Sequence, residues 1–215
     1  MMRLAFLSCI LIAFCAPAQA QLVRGYGVKA GPTFSNVRSP DLDLGGEAPL
    51  VFDTERRTGV ALFAFVEWLD GPFFSVVTEA GYVQRGFEQI QEARTGPGED
   101  GMLREVTLDT RFDYASFGAY ARLRRPHGAL TPYVLGGPRL DVFLGGEPDG
   151  EGSLADSYAP VAFGGTFGSG VEVARLLPVA VYAEVRYGVD LTNSLPDVPR
   201  DAYNNAFDVV LGLRL

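Results

Sequence analysis

The sequence predicts an all-β protein, an eight-stranded antiparallel up-and-down transmembrane β-barrel with a polar, ion-paired lumen. Three observations support this fold class. Apolar and polar residues alternate with a period of two in eight segments. The connections between the segments are alternately long and short, and the polar face of the segments carries charges of both signs. Gly, Phe and Tyr number 26, 15 and 9, a composition that favours strands and tight turns over helices.

The alternation defines the predicted strands in chain order. The last segment is the clearest, because Leu211 and Leu213 fall on one face while Gly212 and Arg214 fall on the other. In the fourth segment the phase changes near Tyr114–Ala115, which predicts a β-bulge. The eight predicted strands are 23–36, 58–69, 72–87, 103–123, 130–145, 158–174, 178–190 and 204–215.

The connections alternate in length along the chain. The long ones are polar and rich in Gly, Pro, Asp and Glu; they cover 37–57, 88–102, 146–157 and 191–203. The short ones are 70–72, 124–128 and 175–177. In a meander of antiparallel strands, every long connection then lies at one end and every short turn at the other. Outer-membrane barrels have this layout, with long extracellular loops and short periplasmic turns.

The charges within the strands suggest which face points inward. A soluble barrel buries its apolar face and a membrane barrel exposes that face to lipid, so the alternation fits both. The polar faces carry six cations and six anions, which can pair and so avoid the large cost of an isolated buried charge. Gly and Ala on the same faces leave room for them in a narrow barrel. The expected lumen ion-pair network, structural in role, consists of Lys29, Glu67, Glu79, Arg85, Arg122, Arg139, Asp141, Glu172, Glu184, Arg186, Asp208 and Arg214.

Aromatic residues cluster toward both strand ends, as in the two girdles of a membrane barrel. One predicted group is Tyr26, Trp68, Phe73, Phe74 and Phe207, and the other is Phe34, Tyr82, Phe87, Tyr187 and Tyr203. A secreted soluble β-sandwich or lipocalin-like barrel remains the alternative, with the charged face as its wetted surface.

The first twenty residues are predicted to be a cleaved signal peptide, because a basic start is followed by a short apolar run and by Ala18-Gln19-Ala20. Cleavage after Ala20 leaves one barrel domain, 21–215. Both cysteines, Cys9 and Cys15, lie in the predicted signal peptide, so the mature chain has no thiol chemistry. A lipoprotein signal that ends at Cys15 is the competing interpretation.

Charge and composition exclude several functions. The net charge of −8 disfavours nucleic-acid binding. The single histidine, His127, excludes a multi-histidine metal site, and its place in a predicted turn argues against a catalytic role in lipid hydrolysis. We therefore expect no catalytic residues, no cofactor and no bound metal. The segment 147–152 alternates carboxylates with glycines, a pattern that suits Ca²⁺, but it lacks the spacing of an EF-hand and a solvated acidic loop is the preferred interpretation.

Five segments together resemble a known family. Gly27-Val28-Lys29-Ala30-Gly31-Pro32-Thr33-Phe34-Ser35-Asn36 resembles the opening strand of the small outer-membrane barrel domain of "porin family" and PorT-like proteins. The other segments that resemble this family, in order, are 79–86, 132–140, 168–172 and 184–188. The resemblance implies an eight-stranded barrel of the outer-membrane protein X or A type in a Gram-negative envelope.

Because that family does not fix one function, several functions stay open. We expect a non-enzymatic protein of the outer membrane with a structural, adhesion or secretion-accessory role. Its expected partners are outer-membrane lipids, the barrel-assembly machinery and an extracellular or secretion-system protein, with no nucleic acid. The alternatives are a narrow or gated porin, a secreted soluble binding barrel and an outer-membrane lipid-modifying enzyme.

Overall fold

The protein forms one closed β-barrel. The computed structural model describes residues 22–38, 54–69, 71–95, 102–127, 129–148, 159–173, 179–194 and 203–215. Their strands are β1 (Val23–Arg38), β2 (Thr54–Trp68), β3 (Phe74–Thr95), β4 (Met102–Arg124), β5 (Leu130–Pro148), β6 (Val161–Val173), β7 (Ala180–Asp190) and β8 (Tyr203–Arg214). Each strand pairs antiparallel with its neighbours in sequence, and β1 pairs with β8. The predicted fold class is confirmed.

The pairing of β1 with β8 closes the sheet. Val28 lies opposite Leu213 and Phe34 lies opposite Phe207 in this register. Closure leaves no sheet edge, which is the condition for strands to exist in hydrocarbon, because no water is present there to satisfy free backbone groups. The described residues include no helix that could cross a membrane.

The hairpin of β3 and β4 is longer than the sequence predicts. Its pairing continues from Phe74 opposite Leu123 to Thr95 opposite Met102. The prediction of a long loop at 88–102 was therefore wrong, since only 96–101 separates the two strands. Two antiparallel strands satisfy each other's backbone groups whatever the polarity of their side chains. The polar sequence here is part of the hairpin, and polarity alone does not mark where a strand ends.

The predicted bulge is present, but it lies on the neighbouring strand. The register between β4 and β5 shifts between Asp113 and Tyr114, close to the predicted position. The extra residue is Leu144 of β5, which is exposed. β4 itself keeps one phase, with both Phe112 and Tyr114 buried. Aromatic residues on both faces of β4 produced the apparent change of phase in the sequence.

Apolar side chains cover the outside of the barrel and polar side chains line the inside. On β8, Leu211 and Leu213 are 64% and 49% exposed. On β7, Val185 is 40% exposed, whereas its neighbours Glu184 and Arg186 are 2% and 1% exposed. This arrangement is that of a barrel in lipid and the reverse of a soluble barrel.

The aromatic residues form rows near both ends of the apolar wall, with two corrections to the prediction. The turn-end row contains Tyr26, Trp68, Phe73 and Phe74. Phe207 lies opposite both Phe34 and Tyr187, so it belongs to the row on the loop side. Its strand runs from the loop end to the turn end, and Phe207 comes early in it. Phe87 has the inward phase of its strand and packs on Phe112, with ring centroids 6.3 Å apart. We call Phe34, Tyr187 and Phe207 the loop-side girdle.

Tyr82 and Tyr203, which the sequence places in the same group, also lie on the loop side of the wall. Tyr82 accepts a hydrogen bond from Arg111 at 3.3 Å. Tyr203 lies opposite Arg38 at the loop end of β8. The predicted signal peptide and most residues of the long loops at 37–57, 146–157 and 191–203 lie outside the described residues.

Candidate functional site: the ion-paired lumen

The lumen contains all twelve charged residues that the sequence places on the inner face. Eleven of them are buried, and the side chain of Arg214 is 14% exposed. They fall into three layers. The turn-end layer contains Glu67, Arg122, Glu172 and Arg214; the middle layer contains Lys29, Glu79, Glu184 and Arg186; the loop-end layer contains Arg85, Arg139, Asp141 and Asp208.

Glu67 is the centre of the turn-end layer. Its carboxylate accepts hydrogen bonds from Arg24 at 3.1 Å, Arg124 at 3.1 Å and Arg214 at 2.8 Å. Ser75 donates a further hydrogen bond to it at 2.8 Å. Charge-assisted hydrogen bonds are about twice as strong as neutral ones, so this carboxylate holds together strands that are distant in sequence.

The remaining charges of the turn-end layer pair less symmetrically. Arg214 also donates to Glu172 at 2.7 Å. Arg122 lies 3.5 Å from Glu67, and its nitrogens make no hydrogen bond among the described residues. Its guanidinium lies over the rings of Tyr133 and Tyr182, at 4.5 and 5.1 Å from their centroids. Cation–π contact with two rings therefore stabilises this buried charge.

The middle layer is a closed set of two cations and two carboxylates. Lys29 donates to Glu79 at 2.7 Å and to Glu184 at 3.1 Å. Arg186 donates two hydrogen bonds to Glu79, at 2.6 and 2.8 Å, and one to Glu184. The hydroxyl of Tyr133 donates to Glu184 at 2.7 Å. These contacts join β1, β3, β5 and β7 across the axis, and the layer has no net charge.

The loop-end layer joins two arginines to two aspartates. Arg85 donates to Asp141 at 2.5 Å. Arg139 donates to Asp141 at 2.8 Å and to Asp190 at 2.5 Å. Asp208 differs from the other predicted lumen residues: among the described residues it forms no ion pair, and its Oδ1 is buried without a partner. With Asp190 and Asp208 both counted, this layer has three carboxylates and two guanidinium groups.

Aromatic rings fill the space between the layers and above them. Phe143 packs edge-on against Phe112 and Tyr114, with centroids 6.0 and 5.7 Å away, beyond the loop-end layer. Lower down, the ring of Phe65 meets that of Tyr182 at 5.8 Å. Lining side chains of an open channel are wetted, yet Tyr182 and Phe112 have no exposed surface. The described lumen is therefore packed with side chains.

Glycine makes room for the charged side chains. A Cβ at Gly188 would overlap the guanidinium of Arg139, and a Cβ at Gly212 would approach Cγ of Lys29 to 2.7 Å. The sequence argument that small residues make room for the ion pairs is supported at these positions.

Among the described residues, three further charged side chains contact this network and were missed from the sequence. Arg124 lies two residues after Arg122, and Asp190 lies four residues after Arg186, so the period of two places both inside. They were overlooked because each ends a strand. Arg24 has the opposite phase to Lys29, and the irregular register between Val23 and Gly25 allows its side chain to reach Glu67. No sequence signal reveals that shift.

The other candidate sites are less developed. His127 is exposed, and its backbone exchanges hydrogen bonds with Leu130 in the β4–β5 turn. Within the described ranges, no group of three or more His, Cys, Asp or Glu side chains could hold a metal ion. The segment 147–152 lies outside the described residues, except for the backbone of Glu147 and Pro148 at the end of β5.

Comparison with known proteins places this geometry in a family. Residues 6–214 match the model of the outer membrane protein beta-barrel domain. A search of curated proteins gave no match.

Solved structures of other outer-membrane barrels are similar to the chain. OprG from Pseudomonas aeruginosa is 11% identical, with a TM-score of 0.49, and the match covers 92% of this chain and 98% of that one. Neisserial surface protein A is 15% identical, with a TM-score of 0.49 and coverage of 88% and 97%. Ail of Yersinia pestis is 14% identical, with a TM-score of 0.44 and coverage of 89% and 98%. On the family match over nearly its whole length, the protein belongs to the outer membrane protein beta-barrel domain family and is a small barrel of the outer membrane.

Proposed function

We propose that this protein is a non-enzymatic barrel that holds long acidic loops at the cell surface and does not conduct solutes. Its role is then structural, adhesive or accessory to secretion, exerted through the loops. The observation that supports this proposal most strongly is the packed lumen, in which Arg85, Arg122, Arg186 and Lys29 are all at most 1% exposed. An eight-stranded barrel is just wide enough for its side chains to fill it.

Conductance in planar bilayers tests the closed lumen. We expect the purified protein to give no steady ohmic steps after insertion. An open porin inserted into the same bilayer provides the positive control for insertion and recording. The double variant Arg122→Ser with Tyr182→Ser, which removes a stacked pair of buried side chains, is expected to stay closed, because the middle and loop-end layers still fill the lumen. Steady steps from the wild-type protein would support a narrow porin instead.

The non-enzymatic part of the proposal is supported by the place of His127. It lies in an exposed turn at the end of the barrel where β4 and β5 meet, away from the loop-side girdle. Incubation of the purified protein with lipid A, followed by mass spectrometry, tests this point. We expect no loss of acyl chains. Acyl release that disappears in His127→Ala, while the variant remains folded, would establish an enzyme.

The outward direction of the loops can be tested by cysteine labelling. Both native cysteines lie in the first fifteen residues, so single cysteines elsewhere are easy to follow. We expect Ser153→Cys to react with a membrane-impermeant maleimide on intact cells. We expect His127→Cys to react only after the outer membrane is opened. The opposite pattern would reverse the proposed orientation.

The protein partner is expected to act through the acidic loops. A variant in which Asp41, Asp43, Glu47 and Asp53 are changed to their amides keeps the loop length and removes four negative charges. We expect it to lose adhesion or secretion-linked function in cells, with the barrel still inserted. Unchanged function in both assays would rule out this loop as the site of action.

A further inference from the structure

A small polar depression lies on the outer wall, on the loop side of the barrel. Its volume is about 100 Å³. Its floor contains the loop-side girdle, since Phe207 lies opposite Phe34 on one side and Tyr187 on the other. One step closer to the loops, Asn36 lies opposite Asn205, and Arg56 of β2 completes the rim. The depression therefore crosses four adjacent strands, β7, β8, β1 and β2.

Three hydrogen-bond donors line this depression without using their capacity. They are the guanidinium of Arg56, the side-chain amide of Asn205 and the hydroxyl of Tyr187. None of the three side chains makes a hydrogen bond or ion pair with any part of the chain that the structure describes. The lumen arginines differ, because most of them donate to a carboxylate. Unused donors around one cavity, one of them cationic, fit an anion with several acceptor oxygens.

The position of the depression indicates the source of the anion. Aromatic girdles lie at the level of lipid headgroups, and this depression begins at the girdle and opens toward the loops. At that level the anionic group available at high local concentration is the phosphate of a lipid headgroup. The planar fork of a guanidinium matches phosphate oxygens well. The aromatic floor suits the apolar part of the same lipid.

We propose that Arg56, Asn205 and Tyr187 bind the phosphate of a phosphorylated glycolipid in the outer leaflet. The assignment to the outer leaflet rests on the proposed outward orientation of the loops. The proposal that the site binds a lipid phosphate does not depend on that orientation. A closed lumen and this site are also independent of each other, since the depression lies on the lipid-facing wall.

Native mass spectrometry of the full-length barrel in detergent tests the site. The probes are lipid A with its phosphates, lipid A from which the phosphates have been removed, and inorganic phosphate. We expect the phosphorylated lipid to bind at least about tenfold more tightly than the dephosphorylated one, which corresponds to about 1.4 kcal/mol. We expect Arg56→Gln to remove most of this difference. Asn205→Leu is expected to weaken binding by a smaller factor.

Arg125→Gln is the matched control. Arg125 is also an exposed arginine, but it lies in the turn at the other end of the barrel. We expect this variant to bind lipid A within about twofold of wild type, since it keeps the whole site. Equal losses in Arg56→Gln and Arg125→Gln would mean nonspecific attraction and would overturn the proposal.

Two further outcomes separate other occupants from the lipid. If inorganic phosphate at millimolar concentration displaces the lipid completely, the site takes a free anion and the lipid assignment is wrong. If both forms of lipid A bind equally to the wild-type barrel, the three donors do not recognise the phosphate, and the proposal fails. Neither result bears on the proposal that the lumen is closed, which the conductance experiment tests separately.

Discussion

Arg186 and Glu79 face each other across the lumen, joined by two hydrogen bonds of 2.6 and 2.8 Å, although 107 residues separate them in sequence. Both side chains are nearly inaccessible to water. The pair links β3 to β7, which are not neighbours in the sheet. Backbone ladders connect each strand only to the next one, so side-chain pairs of this kind are what bind opposite walls.

Removal of one partner from this pair is expected to destabilise the barrel strongly. Glu79→Gln leaves Arg186 and Lys29 with one carboxylate, Glu184, between them. The loss of one member of a buried pair costs about 3–5 kcal/mol. The free energy of unfolding in urea, measured in lipid vesicles, provides the test. Glu55→Gln, at an exposed position without an ion pair in the described structure, is the control and should change stability by less than about 0.5 kcal/mol. Equal effects from the two variants would contradict the layered network.

Neutralisation of Glu67 is expected to affect the turn end of the barrel most. Glu67→Gln removes the charge that faces Arg24, Arg124 and Arg214. The guanidinium groups would then repel one another in a low-dielectric space. Hydrogen exchange should rise first in the last residues of β4 and β8. Faster exchange confined to the loop ends of these strands would disagree with the assignment of Glu67 to the turn-end layer.

Bulk at Gly188 is expected to disturb the loop-end layer. Gly188→Val would displace the guanidinium of Arg139, and overpacking of a filled interior costs about 1–3 kcal/mol. Gly145→Ala is the control, because a Cβ at that position meets no atom within 4 Å. Heat-modifiable gel mobility, followed over temperature, ranks the two variants. A lower transition temperature for Gly145→Ala than for Gly188→Val would contradict the packing described.

A charge on the outer wall is expected to cost more at mid-depth than near the ends. Leu211→Arg places a cation on the lipid face, where arginine at the bilayer midplane costs about 2–4 kcal/mol. Leu130→Arg places it at the start of β5, beside the turn, where the cost falls to about 0–1 kcal/mol. Folding equilibria in vesicles measure both values. No dependence on depth would argue against a lipid-facing wall.

Most of the fold could be predicted from the sequence, because its signals are local. The period of two assigns each residue of a regular strand to one face, and Leu211, Arg214 and Glu184 follow it without exception. The short connections predict that β2 and β3, β4 and β5, and β6 and β7 are neighbours in the sheet. The end of the β3–β4 hairpin could not be predicted, since backbone pairing beyond the apolar wall does not depend on side-chain polarity.

The candidate site could be predicted as a set of residues but not as a set of pairs. The period of two predicts that Glu79 and Arg186 each point into the lumen. Whether the two side chains contact each other depends on the register and curvature of the closed sheet. The bulge at Leu144 and the shift near Arg24 change which side chains face the lumen, and both depend on tertiary packing. The residues that line the depression at Arg56 come from four strands. Its hydrogen-bond donors can therefore be recognised as a group only when the closed barrel is known.

Quenching of a single tryptophan by brominated lipids tests the inside-outside assignment most directly. Trp68 is the one native tryptophan, so Trp68→Phe provides a silent background for two probes, Leu211→Trp on the wall and Tyr182→Trp in the lumen. We expect lipids brominated near mid-chain to quench the fluorescence of the Leu211→Trp protein strongly and that of the Tyr182→Trp protein weakly. Strong quenching at position 182 with little at position 211 would show that the barrel faces are the reverse of those described.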